Sequence, residues 1–216
     1  PDIPILGNIA VQQAAASPIE DIVRLVSAVE ADGLAVHLNP AQEMAQPEGD
    51  RAFPDGLPVL RALSRRLPGR VMVKETGCGL SREAALRLKR AGVRVVETAG
   101  AGGTSWPRVE NLRKGPPAPR RGWLDEWGIP TAASLLEASG LGLTVAASGG
   151  LRTGLDAAKC LVLGADVSGM ALPVLRSHGR GGRDGVVAFL SGIIAELKTA
   201  MLLAGAGFSL MSPALN

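Results

Sequence analysis

Aromatic residues make up only 3% of this 216-residue chain, and tyrosine is absent. A nucleic-acid surface built on base stacking has little to work with here. Cysteine occurs twice, as Cys78 and Cys160, too far apart for a metal-ligand spacing and too few for a disulfide scaffold. The net charge is only +3, from 23 basic and 20 acidic residues, so no strong field draws in polyanions. The basic residues Arg113, Lys114, Arg120 and Arg121 are interleaved with Pro116, Pro117 and Pro119 and read as a solvated loop. No long apolar run is free of charge. Val186–Ala204 has the length of a span but carries Glu196 and Lys198, which suits a helix packed on a core. Pro1-Asp2-Ile3-Pro4 lacks the features of a secretory signal. These absences point to a cytoplasmic protein with neither nucleic acid nor membrane as a partner.

What is present is a 46% hydrophobic chain with 28 glycines and 15 prolines spread along it. That is a globular composition. Apolar runs alternate with helical periodicity throughout. The expected strands are Ile3–Ala10, Leu34–Leu38, Val71–Lys74, Val93–Glu97, Leu143–Ala147 and Ala165–Leu172. The expected helices begin at Ser17-Pro18-Ile19-Glu20, read as a capping box, and continue as Leu57–Leu67, Ser81–Ala91, Thr131–Ser139, Leu155–Leu163 and Val186–Ala204. Gly33 is expected to end the first unit, and Ala99–Pro130 to be a long loop. Short, non-alternating strands each followed by a helix describe a parallel sheet buried on both faces. Two architectures fit: a (β/α) barrel and an open doubly wound sheet. A complete barrel typically takes about 250 residues, so this length is slightly short for one.

In such folds the chemistry collects where strands end. Those points carry Asn8; His37 with Asn39, expected on one strand face; Gln42 and Glu43; Lys74; Ala99-Gly100-Ala101-Gly102-Gly103-Thr104-Ser105-Trp106; Ser148-Gly149-Gly150-Leu151-Arg152; and Gly169-Met170-Ala171. The last two loops follow consecutive strands, and their glycines let backbone N–H groups approach an anion, which makes a phosphate site. Lys74 ends an apolar strand and needs a phosphate, an electron-rich ring or a carboxylate, with Glu75 the adjacent structural partner. Glu43 is an oxygen ligand suited to Mg²⁺. Cys160 reads as core, and Cys78 lacks the neighbours of a nucleophile.

Together these segments resemble the type 2, flavin-dependent isopentenyl diphosphate isomerase family. The most specific is His37-Leu38-Asn39-Pro40-Ala41-Gln42-Glu43 with Gln46-Pro47-Glu48-Gly49-Asp50; Val73-Lys74-Glu75 and both glycine loops match in order. The resemblance implies an α/β fold, a (β/α)₈ TIM barrel incomplete at the N-terminus, with about strands three to eight present. Residues 1–216 would then be a single FMN-binding domain lacking about two N-terminal βα units. It implies interconversion of isopentenyl and dimethylallyl diphosphate, in isoprenoid biosynthesis, with reduced FMN, Mg²⁺ and NADPH as reductant. By the same resemblance Asn8, Lys74, Thr104, Ser148, Gly149, Gly150, Met170 and Ala171 contact FMN. Gln42, His37 and Glu110 are the catalytic candidates, and Asn39, Gln42 and Trp106 face substrate. Glu43 binds the metal. A homo-oligomer is expected of the full-length form. The sequence departs from the family at Glu97-Thr98, where Asp-Val is expected, at Ser168, and in the missing N-terminal units. Two alternatives stand beside this reading: an FMN-dependent 2-hydroxy acid oxidase or dehydrogenase, and a non-catalytic flavin- or phosphate-binding fragment.

Overall fold

Six strands lie side by side in the order in which the chain makes them: β1 (Leu6–Ala10), β2 (Gly33–His37), β3 (Val71–Lys74), β4 (Val95–Glu97), β5 (Thr144–Ala147) and β6 (Val167–Ser168). Every neighbouring pair is parallel. The structure, a computed structural model, describes residues 3–51, 55–113 and 122–206. A doubly wound sheet reverses its strand order at a switch point. This sheet never does, so the singly wound order of a (β/α) barrel is the one observed. Among the described residues the sheet is not closed, and β1 and β6 are its edges.

The register explains how the sheet divides core from cavity. Val36, Val73, Val96 and Val145 are partners across four adjacent strands, each at most 1% exposed. They share one core with Ile22, Leu60, Leu63, Leu88 and Leu135 from the flanking helices. Each such side chain contributes roughly 1.5–3 kcal/mol of burial. One residue further along, His37, Lys74 and Glu97 are also partners. Alternation sends this second row to the opposite face.

The helices are α1 (Val11–Ala16), α2 (Ile19–Ala28), α3 (Pro40–Ala45), α4 (Leu57–Arg66), α5 (Arg82–Arg90), α6 (Trp106–Arg113), α7 (Thr131–Ala138), α8 (Gly154–Val162) and α9 (Leu172–Leu203), with a 3-10 turn at Gly122–Leu124. Ser81 caps α5 as expected, its hydroxyl accepting the Ala84 N–H. The Ser17 capping box does not form. Pro18 is the N-cap of α2, and the Ser17 hydroxyl instead donates to the Gln13 carbonyl at the end of α1. Gly33 opens β2 rather than ending the first unit, and glycine is needed there because a Cβ would sit 2.5 Å from the Arg70 carbonyl oxygen. α1, α3 and α6 lie where the sequence suggested loops. Asn39 therefore stands at the N-cap of α3, not on the strand of His37. The sixth strand has two residues where Ala165–Leu172 was expected, since α9 begins at Leu172.

α9 also starts earlier than Val186 and leaves helical geometry at Gly181 and Gly182. By length and composition it is apolar enough to cross a membrane, and its most apolar stretch is not buried. It lies along α8 rather than inside the core. The Gly154 N–H donates to the Glu196 carboxylate at 2.7 Å, and a Cβ on Gly154 would meet the Ile193 carbonyl oxygen at 2.4 Å. Of the proline-rich basic run, Arg113 ends α6 and pairs with Glu110 and Glu48 rather than lying in a solvated loop, and residues 114–121 fall outside the described residues.

Candidate active site

A cavity of about 740 Å³ opens at the C-terminal ends of the strands. It gathers Asn8, His37, Gln42, Lys74, Thr104, Trp106, Ser148, Gly149, Gly150, Met170 and Ala171 from strands and loops spread over the whole described sheet. Asn39, Glu43 and Glu110 do not line it. They form a polar cluster behind Gln42, where α3 packs on α6.

The glycine loops shape one end. Gly149 and Gly150 have φ of +109° and +89°, and their loop lies backbone to backbone against residues 100–103. A Cβ on Gly150 would sit 2.0 Å from the Gly102 carbonyl oxygen. Loop-on-loop packing thus demands glycine here before any ligand is considered. The Thr131 hydroxyl donates to the Gly149 carbonyl at 2.5 Å and ties the loop to the start of α7. The amides of Gly149, Gly150, Met170 and Ala171 take part in no hydrogen bond among the described residues. With the Leu172 and Val174 amides at the start of α9, where Pro173 has none to offer, they make a concentration of donors suited to a phosphate.

The sheet row forms the floor. His37 Nδ1 pairs with Asn8 Nδ2 at 3.2 Å. The amide can only donate, so Nδ1 accepts and a neutral His37 carries its proton on Nε2. Burial, then the Lys74 cation, hold the imidazole below its usual range against the pull of Glu43. Lys74 Nζ donates to the Glu75 main-chain carbonyl at 3.3 Å, so its expected partner serves through backbone and not through carboxylate. The Glu75 carboxyl instead accepts the Thr76 and Cys78 amides, each at 2.7 Å, and fixes the loop after β3. Burial raises the Glu75 pKa in spite of those bonds. Burial, with the Glu75 charge, pushes the Cys78 thiol up to about 11, which removes thiolate chemistry near neutral pH.

Gln42 stands between the cavity and the polar cluster. Its Nε2 reaches Glu110 Oε1 at 3.5 Å, and the same oxygen accepts Gln46 Nε2 at 3.1 Å. Arg113 closes the cluster by pairing with both Glu110 and Glu48. Burial raises the Glu110 carboxyl, but the bonds from Gln46, Arg113 and Gln42 outweigh it and leave the group below its usual range. Glu43 accepts Asn39 Nδ2 at 2.7 Å and the Asp50 N–H at 2.9 Å. Asn39 Oδ1 is buried without a partner. Each Glu43 oxygen accepts one hydrogen bond and keeps a second lone pair, so the carboxylate is the kind of donor a hard cation such as Mg²⁺ takes. No group of three or more His, Cys, Asp or Glu residues gathers around one point among the described residues.

Sequence reasoning missed Glu97, Arg176, Arg180 and Phe189 as cavity residues. Arg176 and Arg180 are four apart, one face of a helix. That signal was hidden because the last helix was expected only from Val186, which left residues 173–185 unassigned, whereas α9 begins at Leu172.

The solved structures most like this one include mandelate oxidase variants. One superposes with a TM-score of 0.60 at 22% identity, over 86% of this chain and 54% of the other. That likeness concerns fold alone. Among curated relatives, the isopentenyl-diphosphate delta-isomerase of Methanothermobacter thermautotrophicus is 46% identical over 211 residues, 95% of this chain and 57% of that protein. The protein of the same name from Symbiobacterium thermophilum is 48% identical over 185 residues, 84% of this chain and 51% of that one. The chain thus spans little more than half the length of the curated relatives it matches. The profile of the FMN-dependent dehydrogenases matches residues 56–209, so the chain belongs to the FMN-dependent dehydrogenase family.

Proposed function

We propose that this chain is the FMN-binding part of an isomerase that interconverts isopentenyl and dimethylallyl diphosphate, a step of isoprenoid biosynthesis. The name shared by its curated relatives supports the reaction. The observation that carries the site is the cavity itself, with unpaired amides at one end and a Gln42–Glu110 corner at the other. The relatives favour this over a hydroxy-acid oxidase, with which the shared feature is the fold. NADPH as reductant, Mg²⁺, a cytoplasmic setting away from membrane and nucleic acid, and a homo-oligomer in the full-length form belong to the same proposal.

The residues divide the work by chemistry. The amides of Gly149, Gly150, Met170 and Ala171 hold the FMN phosphate, while Asn8, Lys74, Thr104 and Ser148 hold the rest of the cofactor. Reduced FMN, when bound, supplies an electron-rich ring that can take part in proton transfer, chemistry that few side chains here offer. Gln42 is oriented by Glu110 and presents its amide to the substrate, beside His37. Trp106, 41% exposed, gives the hydrocarbon an apolar wall. Glu43 would hold Mg²⁺, which offsets the diphosphate charge, with Asn39 bonded to the Glu43 carboxylate.

The test is direct. The purified chain is mixed with FMN, NADPH, Mg²⁺ and isopentenyl diphosphate. The expected result is retained flavin and formation of dimethylallyl diphosphate, with NADPH consumed only to reduce the flavin. Peroxide from a hydroxy acid, or no flavin uptake, would overturn the proposal. In Glu43→Gln, Mg²⁺-dependent diphosphate binding should weaken roughly ten-fold or more while flavin is retained.

A further inference from the structure

We propose that Glu97 is a positioning residue for the bound flavin and sets the charge of the cavity floor. The inference rests on the FMN reading above. His37, Lys74 and Glu97 are register partners on three adjacent strands and all three line the cavity. Neighbouring strands lie about 4.8 Å apart, so the Lys74 cation and the Glu97 acid rise side by side. No ion pair occupies Lys74 among the described residues; its recorded bond goes to a neutral carbonyl. Its charge and that of Glu97 are both offered to whatever fills the cavity.

Glu97 also reaches across to the next strand. The Ser148 hydroxyl donates to Glu97 Oε1 at 2.5 Å. A serine has one O–H, so Ser148 is left with lone pairs alone for a ligand. A phosphate at this point would meet an acceptor backed by a carboxylate. The unpaired amides of the glycine loops, a residue or two further on, offer it donors instead. At Ser148 the floor therefore accepts a ring N–H or a ribityl hydroxyl, and the phosphate is better served at the loop end. Through Ser148, Glu97 biases that end of the cavity against the phosphate. Aspartate, expected here from the family resemblance, is one methylene shorter and has less reach toward Ser148.

The second consequence is electrical. A carboxylate beside Lys74 offsets the cation that would otherwise favour negative charge on the flavin ring. Removing it makes the bound flavin easier to reduce and more receptive to anions. Three variants of the full 216-residue chain separate the two roles, with midpoint potential, sulfite affinity and FMN affinity as readouts. Glu97→Gln keeps an acceptor for Ser148 but loses the charge. Its potential should shift positive and its sulfite affinity rise about ten-fold, the scale of one charge at short range. Glu97→Asp keeps the charge and should leave the potential near that of the parent. Ser148→Ala should leave the potential near the parent while weakening FMN several-fold. An unmoved potential in Glu97→Gln, or an equal shift in Glu97→Asp, overturns the electrical role. Unchanged FMN affinity in Ser148→Ala overturns the positioning role, whether or not the Glu97 variants fold. If the parent chain takes up no flavin, the functional reading itself fails and takes this inference with it; flavin uptake with unmoved potentials sinks the inference alone.

Discussion

The two ends of the cavity are built from different materials. At the loop end, Gly149, Gly150, Met170 and Ala171 present backbone amides, and shape comes from two chains of backbone pressed together. At the opposite corner Gln42 alone faces the cavity, held from behind by Glu110 in the polar cluster where α3 packs on α6 and Glu43 pairs with Asn39. The backbone end has almost no freedom to change residue type without moving the chain. The side-chain corner is adjustable one group at a time. A phosphate needs many donors of no particular identity, which backbone supplies. A proton shift needs a few groups at defined positions, which side chains supply.

The difference can be broken from the backbone side with the largest effect. In Gly150→Ala the new Cβ would sit 2.0 Å from the Gly102 carbonyl oxygen on a residue with φ of +89°. Clash and positive φ together should cost about 3 kcal/mol or more, and flavin uptake should be lost with it. Thermal unfolding and flavin retention measure both. Wild-type stability in this variant would mean that the two loops are not tightly packed.

The corresponding change at the corner is Glu110→Ala. It strands Gln42 and Gln46, and Arg113 keeps Glu48 as an exposed partner. The loss should be about 2 kcal/mol, in the range for removing a buried acceptor, with flavin binding retained. A drop in isomer formation without a drop in flavin content would sharpen the contrast between the ends; loss of flavin would erase it.

Sequence legibility followed the same division. Strands and caps set by local pattern were readable: Val71–Lys74 falls where expected, and Ser81 caps its helix. So were the glycine loops, although their glycines answer first to packing against each other. What local pattern cannot carry is a bond between distant segments. Ser148 with Glu97 spans 51 positions and Gln42 with Glu110 spans 68, and no periodicity marks either. Short helices were also hidden. α3 is six residues with Pro40 at its start, too brief to show a helical period. Ser17 misled because a serine before proline suits a helix start, whereas here its hydroxyl closes the helix behind it.

A smaller effect is expected at Thr153, which starts α8 immediately after the glycine loop. Its hydroxyl accepts the Asp156 N–H at 3.0 Å, and the Asp156 carboxylate in turn accepts the Thr153 N–H at 3.1 Å. Thr153→Ala should cost about 1 kcal/mol, the usual worth of such a cap. If the loop end is rigid through its own packing, FMN affinity should be unchanged in this variant. A parallel loss of affinity would show that α8 positions the loop.

The least effect is a pH dependence at His37, which lies between the two ends. Its folded pKa is lowered from 6.5, first by burial and then by Lys74. The unfolded chain therefore binds the proton more readily than the folded one. Stability from this residue is complete above the unfolded value near 6.5 and declines as pH falls through it, levelling only below the folded pKa. His37→Gln should flatten that acid-side decline while leaving the neutral-pH structure able to bond Asn8. Glu75 has the opposite sign, since its pKa is raised, so its contribution grows as pH falls toward 4.5 and partly masks the histidine in the parent. Comparing urea midpoints of the two proteins between about pH 5 and 7 removes that background, because Glu75 is common to both. A midpoint difference that is constant across this window would show that His37 takes up protons equally in both states, and that neither burial nor Lys74 controls it.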